Sequence, residues 1–370
     1  MLTADTAGER NPLRVGLRAG GATVPCAFVI FGVTGDLSQR KLLPALYNLA
    51  VRGLLPPRMA IVGHGRREMS DEQFRGFARE AVEQFSRTTL DDGVWAGFAS
   101  LLHYSVGGFD HDGFTNLSSV LTAVDAEHGT ERNRVFYLST PASFFPTILN
   151  QMREAGLHHP GGFVRAVIEK PFGHDLASAR ELAEQVHAAF AERDVYRIDH
   201  YLGKETVQNI FAFRFANTIF EPVWNNTYVD HIQLTVAESL GVEHRAAFYE
   251  ETGVVRDIVQ NHLLQVLALV LMEPPASFSA DPVRDEKTKL LAAMRPMQLR
   301  SAVRGQYAPG FVAGSHVVGY TGEPDVPSGS TTATYMAAKL EVDNWRWAGT
   351  PFYVRTGKRL AKRVTEVAVQ

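Results

Sequence analysis

The apolar positions of this chain follow two different patterns. From Cys26 the run CAFVIFG is continuously apolar up to a glycine, and the TGDLSQRKLLPALYNLAVRG that follows carries Leu42, Leu46 and Leu49 at helical spacing. This predicts a buried strand, a tight turn and a helix. Pro44 is expected to bend that helix, because it has no amide to donate and its ring crowds the preceding turn. MAIVG then reads as a second strand, followed by a helix from about Ser70 with Asp71 and Glu72 near its start. RVFYLS and RAVIE are further short strands, DLASARELAEQVHAAF is a helix behind the second of them, and VYRIDH closes the series. Strands alternating with helices imply parallel pairing in a doubly wound sheet.

After residue 198 the pattern changes. HIQLTVAE alternates strictly, with Ile232, Leu234 and Val236 on one face and His231, Gln233 and Thr235 on the other, as expected of a half-covered antiparallel strand. TATYMAAKLEV, PFYVRTG and RVTEVAV repeat this character, and GVVRDIVQNHLLQVLALVLM between them reads as a strong helix. Its apolar run VLALVLM is far shorter than the ~20 residues needed to cross a bilayer. The predicted fold is thus an α/β Rossmann-type doubly wound parallel sheet over 26–198, then an α+β domain with a large, mainly antiparallel sheet over 199–370. Residues 1–25, small, polar and glycine-bearing, read as a flexible leader.

Composition narrows the function. Lys and Arg total 37 against 40 Asp and Glu, for a net charge of −3, so no broad basic field exists for a nucleic-acid backbone. Cys26 is the only cysteine, which excludes an intrachain disulfide and a cysteine-based zinc site and suits a cytoplasmic setting. The sequence has no HExxH zinc helix, nucleophile elbow or Walker loop, and the adjacent His158 and His159 cannot share a helix face. No metal is therefore expected, and neither is a nucleic-acid or membrane partner.

The candidate chemistry lies at turns. GVTGDL, between the first strand and helix, would let backbone approach a pyrophosphate at a helix N-terminus, although a simple tight turn reads equally well. Arg66 and Arg67 stand where an NAD site usually has an acidic residue, which favours the extra phosphate of NADP over a plain charged turn. EKPFG places Lys170 at the carboxyl end of a strand, where ligands bind in open α/β sheets, although a plain strand-ending turn reads at least as well. RIDHYLGKE crowds Arg197, Asp199, His200, Tyr201, Lys204 and Glu205 around one glycine. A lysine at a helix start opposes the helix dipole, so Lys204, His200, Tyr201 and the free amides read as a phosphate receptor; the alternative is a solvated loop whose charges pair among themselves. His262 lies in line with Ile258 and Val266, the pattern of a core histidine, with Asp257, Asn261 and Gln265 as a polar stripe beside it.

Six colinear segments, GVTGDLSQRKLLPALYNL, EKPFG, RIDHYLGKE, RDIVQNHLLQ, GQYAPGFVAGSHVVGY and DNWRWAGTPFYVRTGKRL, together resemble the glucose-6-phosphate 1-dehydrogenase family from about residue 26 to the end. The resemblance implies NADP-dependent oxidation of β-D-glucose 6-phosphate to 6-phospho-D-glucono-1,5-lactone, the first step of the oxidative pentose phosphate pathway. It implies His262 as general base with Asp199 as its partner. It also implies sugar or phosphate contacts from His200, Tyr201, Lys204, Lys170, Glu238, Asp257, Lys358 and Arg363. Cofactor contacts would come from Gly32, Thr34, Gly35, Asp36, Leu37, Arg66, Pro141 and Lys170. Members of that family continue beyond RVTEVAVQ, so the α+β substrate and dimerisation domain is expected to be incomplete at its C-terminus, and the complete protein to be a homodimer or homotetramer. A non-catalytic NADP-binding remnant and another two-domain Rossmann sugar oxidoreductase are the alternatives.

Overall fold

The computed structural model describes residues 24–158 and 161–370; nearly all of the expected 1–25 leader, and His159, lie outside the described residues. The described chain divides into two compact units, meeting in sequence between Ile198 and Asp199.

The first unit is built on six parallel strands, β1 (Cys26–Phe31), β2 (Met59–Gly65), β3 (Leu102–Val106), β4 (Arg134–Leu138), β5 (Val164–Ile168) and β6 (Val195–Arg197). Their spatial order is β3-β2-β1-β4-β5-β6, so the winding direction reverses between β1 and β4. Helices α1 (Leu43–Val51), α2 (Asp71–Phe85), α3 (Asp92–Ala99), α4 (His111–His128), α5 (Phe145–Glu154) and α6 (Leu176–Ala189) supply the connections. The continuous apolar runs follow from coverage on both faces. Ile30, Ile61 and Leu102 pack with Tyr47, Phe74 and Phe98 on one side, while Val29, Phe31 and Phe136 pack with Phe114, Ile148 and Val186 on the other. Ser70 begins α2 with a reciprocal capping box to Gln73.

Pro44 acts differently from the simple bend expected. The segment Ser38–Leu42 is π-helical and runs directly into α1, whose first turn holds the proline. Widening the turn just ahead of Pro44 accommodates its missing amide without breaking the helix.

The second unit centres on a five-stranded sheet of β7 (Ile232–Ala237), β8 (Ala302–Gly305), β11 (Tyr335–Leu340), β12 (Phe352–Gly357) and β13 (Val364–Val369), in the order β13-β7-β12-β11-β8; β9 (Gly310–Val312) and β10 (Ser315–Val317) form a separate hairpin. Three pairings are antiparallel, whereas β7 and β12 run parallel, as the long helix-bearing connection between them permits. The expected alternation holds on β7, with Ile232, Leu234 and Val236 in the core. Thr235 points to the other face, yet is buried too, because Arg355 covers it and donates to its Oγ1 at 2.7 Å.

Against the inner face lie α7 (Glu205–Phe215), α8 (Ala246–Val254), a π-helical segment Val255–Leu263, α9 (Leu264–Leu271) and α10 (Ala280–Ala292). Ala246–Leu271 is long and apolar enough to span a membrane, but most of its apolar stretch is buried in this core. A buried helix end leaves carbonyls that water cannot reach. At the end of α9 those carbonyls have side-chain donors: Arg214 donates to Leu269 O and Met272 O at 3.0 and 2.8 Å, Trp224 Nε1 to Val270 O at 2.8 Å, and Trp347 Nε1 to Leu271 O at 2.7 Å. Arg214 is fully buried and also pairs with Glu221. Arg214→Leu is therefore expected to lower unfolding stability by about 3–5 kcal/mol in urea titrations, since two buried carbonyls lose their donor and Glu221 keeps only Arg346; a loss below about 1 kcal/mol would show that the helix end is satisfied in another way.

Candidate active site

The turn after β1 lies at the point where strand order reverses. Gly32 has φ +74°, donates its amide to His64 O at 3.0 Å, and leaves no room for a side chain: a Cβ there would lie 2.7 Å from Ser139 O and 2.9 Å from Thr140 Cγ2. A Cβ on Gly35 would stand 3.1 Å from Gly32 O. Gln39 Nε2 donates to Thr34 O at 2.9 Å, and Ser38 Oγ bonds Gly32 O and Ser139 Oγ, tying the loop to the end of β4. Gly32, Thr34, Gly35, Asp36 and Leu37 thus form a close backbone cradle leading into the first helix, with Pro141 just beyond β4. This cradle, at the switch point, fits a dinucleotide pyrophosphate. The Asp36 carboxylate is engaged by Arg40 at 2.6 Å, so Asp36 would contribute through its backbone. Arg66 is exposed just past β2, in a turn where Arg67 adds a second cation, which suits the ribose phosphate of NADP. Lys170 belongs to this unit, just beyond β5.

The main partners of Arg197 and Asp199 in RIDHYLGKE lie outside that stretch. Arg197, at its start, turns to Glu192. The Asp199 carboxylate is buried and meets His262 from the π-helical segment, with Oδ1 2.5 Å from Nδ1 and 3.0 Å from the Tyr201 amide. Burial alone would push the Asp199 carboxyl up, but the bond and charge of His262, the Tyr201 amide and His200 together outweigh it and hold the group below its ordinary value. Asp199 Oδ2 is buried without a hydrogen-bond partner among the described residues.

His262 is 1% exposed. Tyr201 stacks on its ring at 4.4 Å and 15°, and His200 meets it edge-on at 4.5 Å. Lys204 is the residue that caps the start of α7, and its ammonium stands 3.3 Å from the centre of the Tyr201 ring on a half-buried stem. Among the described residues Lys204 makes no ion pair. Burial and the nearby Arg363 hold its ammonium below the ordinary value. Glu238, past the end of β7, binds the buried Lys358 at 2.5 Å, and Lys358 lies 3.9 Å from Asp257. The candidates Asp199, His200, Tyr201, Lys204, Glu238, Asp257, His262, Lys358 and Arg363 therefore gather within one unit.

The π-helical turn explains how Asp257 and His262 both face inward. In a regular α-helix positions five apart diverge, whereas i to i+5 bonding brings them onto one side, and both side chains are buried. Sequence spacing had set them on neighbouring stripes. Three further residues escaped the sequence reading. Arg245 lies 3.7 Å from Asp257, Thr365 lies near the Tyr201 hydroxyl, and Lys287 on α10 carries a half-buried ammonium in the field of Asp199. Only a buried-lysine pattern on α10 could have hinted at the last.

These two units define a Rossmann-type pyridine-nucleotide dehydrogenase with a carboxylate and imidazole pair in its second unit. The glucose-6-phosphate dehydrogenase NAD binding domain matches residues 29–209, and the C-terminal domain of the same family matches 211–370. Glucose-6-phosphate 1-dehydrogenase 2 of Mycobacterium tuberculosis is 50% identical over 98% of this chain and 72% of its own length; the Bacillus subtilis enzyme is 44% identical over 92% and 70%. Among solved structures, a glucose-6-phosphate dehydrogenase in complex with its substrate glucose-6-phosphate superposes with TM-score 0.87 at 37% identity, covering 95% of this chain and 72% of that one. The Mycobacterium avium glucose-6-phosphate 1-dehydrogenase gives 0.83 at 39% identity, covering 94% and 71%. The chain belongs to the glucose-6-phosphate dehydrogenase family.

The depressed Asp199 pKa fixes a sign for stability. Its contribution is present above about pH 4, the value of an unfolded carboxyl, and is lost as pH falls through the lower folded value. Urea unfolding from about pH 5 downward is expected to show the wild type losing stability more steeply than Asp199→Asn; parallel slopes would mean that folding does not lower the Asp199 pKa.

Proposed function

We propose that this chain oxidises β-D-glucose 6-phosphate to the 6-phosphogluconolactone with NADP as hydride acceptor, and that His262 is its general base. The observation that carries the assignment of the base is the 2.5 Å contact between His262 Nδ1 and Asp199. It directs the Nδ1 proton to the carboxylate and so makes Nε2 the atom that receives a proton. NADP, when bound, supplies the acceptor for the hydride.

On this reading His262 takes the proton of the anomeric hydroxyl as the electron pair of the anomeric C–H bond departs. Asp199 keeps the imidazole in one tautomer and stabilises the imidazolium that forms. Lys204, His200 and Tyr201 hold the sugar phosphate, with Arg363 adding charge. Lys358, fixed by Glu238 and Asp257, orients the sugar. Within the first unit Lys170, Gly32, Thr34, Gly35, Asp36, Leu37, Arg66 and Pro141 hold the cofactor.

Cytoplasmic residence belongs to the same proposal, on the strength of the single, buried Cys26 and reactants too highly charged to cross a bilayer unaided. Self-association through the second sheet is the corresponding proposal for assembly, supported by Tyr353 and Val303, exposed at 45% and 62% on the face opposite the core.

Two assays separate the roles. His262→Ala is expected to lower kcat with glucose 6-phosphate by about 10²- to 10⁴-fold, read as NADPH absorbance, with substrate affinity little changed; near-normal kcat would remove His262 from the chemistry. Lys204→Met should raise KM for the phosphorylated sugar at least tenfold, as expected on losing a charged contact of about 1.4 kcal/mol or more, while leaving free glucose almost untouched. Equal losses on both sugars would refute the phosphate assignment.

A further inference from the structure

A second cluster of histidines lies in the first unit, built from residues that the proposed reaction does not use. His103 on β3 and His128, the last residue of α4, bring their Nε2 atoms to 2.8 Å, with the rings edge to face. The Glu127 carboxylate lies 3.6 Å from His128 Nε2. One donor atom from each of the three lies within 4.8 Å of the others.

The surroundings determine which atoms carry lone pairs. Two nitrogens 2.8 Å apart cannot both direct protons at each other, so at least one offers a lone pair. His103 Nδ1 lies 3.3 Å from Asp71 Oδ2, while Asp71 Oδ1 accepts the Tyr104 amide at 2.7 Å and is thereby fixed. A carboxylate behind Nδ1 favours the proton there and leaves Nε2 basic. This is the outer-shell arrangement that orients histidine ligands and raises their donor strength. His103 is 7% exposed and so has few alternative rotamers, whereas the His128 and Glu127 side chains, at 13% and 61%, can adjust and admit an ion.

Electrostatics favour the same occupant. The cluster lies at the C-terminal end of the eighteen-residue α4, the negative end of its dipole, and carries the carboxylates Asp71 and Glu127. A divalent cation would meet a matching charge. Two imidazoles and one carboxylate form the donor set typical of zinc, with a fourth position left for water.

We propose that His103, His128 and Glu127 bind a zinc ion, with Asp71 as the outer-shell partner of His103. Bonds of ~2.0–2.1 Å in a tetrahedron need the two nitrogens roughly 3.3 Å apart. The required opening is about half an ångström, which a small turn of the partly exposed His128 ring provides. The ion would join the edge strand β3 to the end of α4 and, through Asp71, to the start of α2. It is a structural clasp on the nucleotide-binding unit rather than a participant in hydride transfer.

Zinc chloride titrated calorimetrically into the purified, chelator-treated chain is expected to fill one such site. His128→Gln and His103→Gln should each weaken it at least tenfold, and Asp71→Asn by about 10- to 100-fold. Zinc should raise Tm in the wild type and not in His128→Gln, whose metal-free turnover stays at the wild-type level. Because Asp199, His200 and His262 also present close donors, the titration is repeated in His262→Ala, where the site must persist. Equal zinc affinity in the wild type and in His103→Gln/His128→Gln, or loss of binding in His262→Ala alone, would overturn the proposal. Should His103→Gln fail to fold, His128→Gln and Glu127→Gln, at partly exposed and exposed positions, decide the matter in the same way.

Discussion

The hydrogen bond between Asp199 and His262 sets the terms for everything around it. Neither group is cheaply buried by itself: a carboxylate removed from water loses solvation that only a good donor restores, and an imidazole among apolar neighbours resists protonation. Buried together, each makes the other tolerable. The bond joins the first residue of the second unit to a helix 63 positions further on. That helix must present His262 at one height and one angle, and the donors supplied by Arg214, Trp224 and Trp347 at its far end anchor it against slipping. Core packing and the geometry of the candidate base are therefore a single problem.

The wide helical turns recur where the sequence makes regular geometry awkward or insufficient. At Ser38–Leu42 the expansion absorbs a proline; at Val255–Leu263 it brings Asp257 and His262 to one side. Both lie beside candidate ligand sites, where π-type turns are often found. The first unit reaches its own site by another route, a reversal of winding between β1 and β4 that leaves Gly32 and Ser139 in contact at the mouth of the sheet.

Local pattern revealed much of this. Continuous apolar runs identified β1 and β2 because a strand covered on both faces has no polar side to show. The alternation of HIQLTVAE gave the inward face of β7 correctly, but could not reveal that Arg355 from the neighbouring strand would shield Thr235. Nor could alternation distinguish a parallel from an antiparallel neighbour, so the β7 and β12 pairing was legible only in three dimensions. Helical spacing set His262 with the buried Ile258 and Val266 correctly but missed that Asp257 is buried beside it, because it assumes 3.6 residues per turn and the turn there is wider. Residues such as Arg245, Thr365 and Lys287 belong to no motif, and only the folding of distant segments brings them to the cluster.

Lys204 resting on the Tyr201 ring has a consequence for the economy of recognition. A cation already clasped by a carboxylate must first be pried loose before it can greet a newcomer, and the old partner is then left stranded. An aromatic face makes a gentler custodian, since it steadies the ammonium while leaving its charge unspent. An anion that met Lys204 would have no ion pair to break among the described residues, and the ring could keep hold of the lysine throughout.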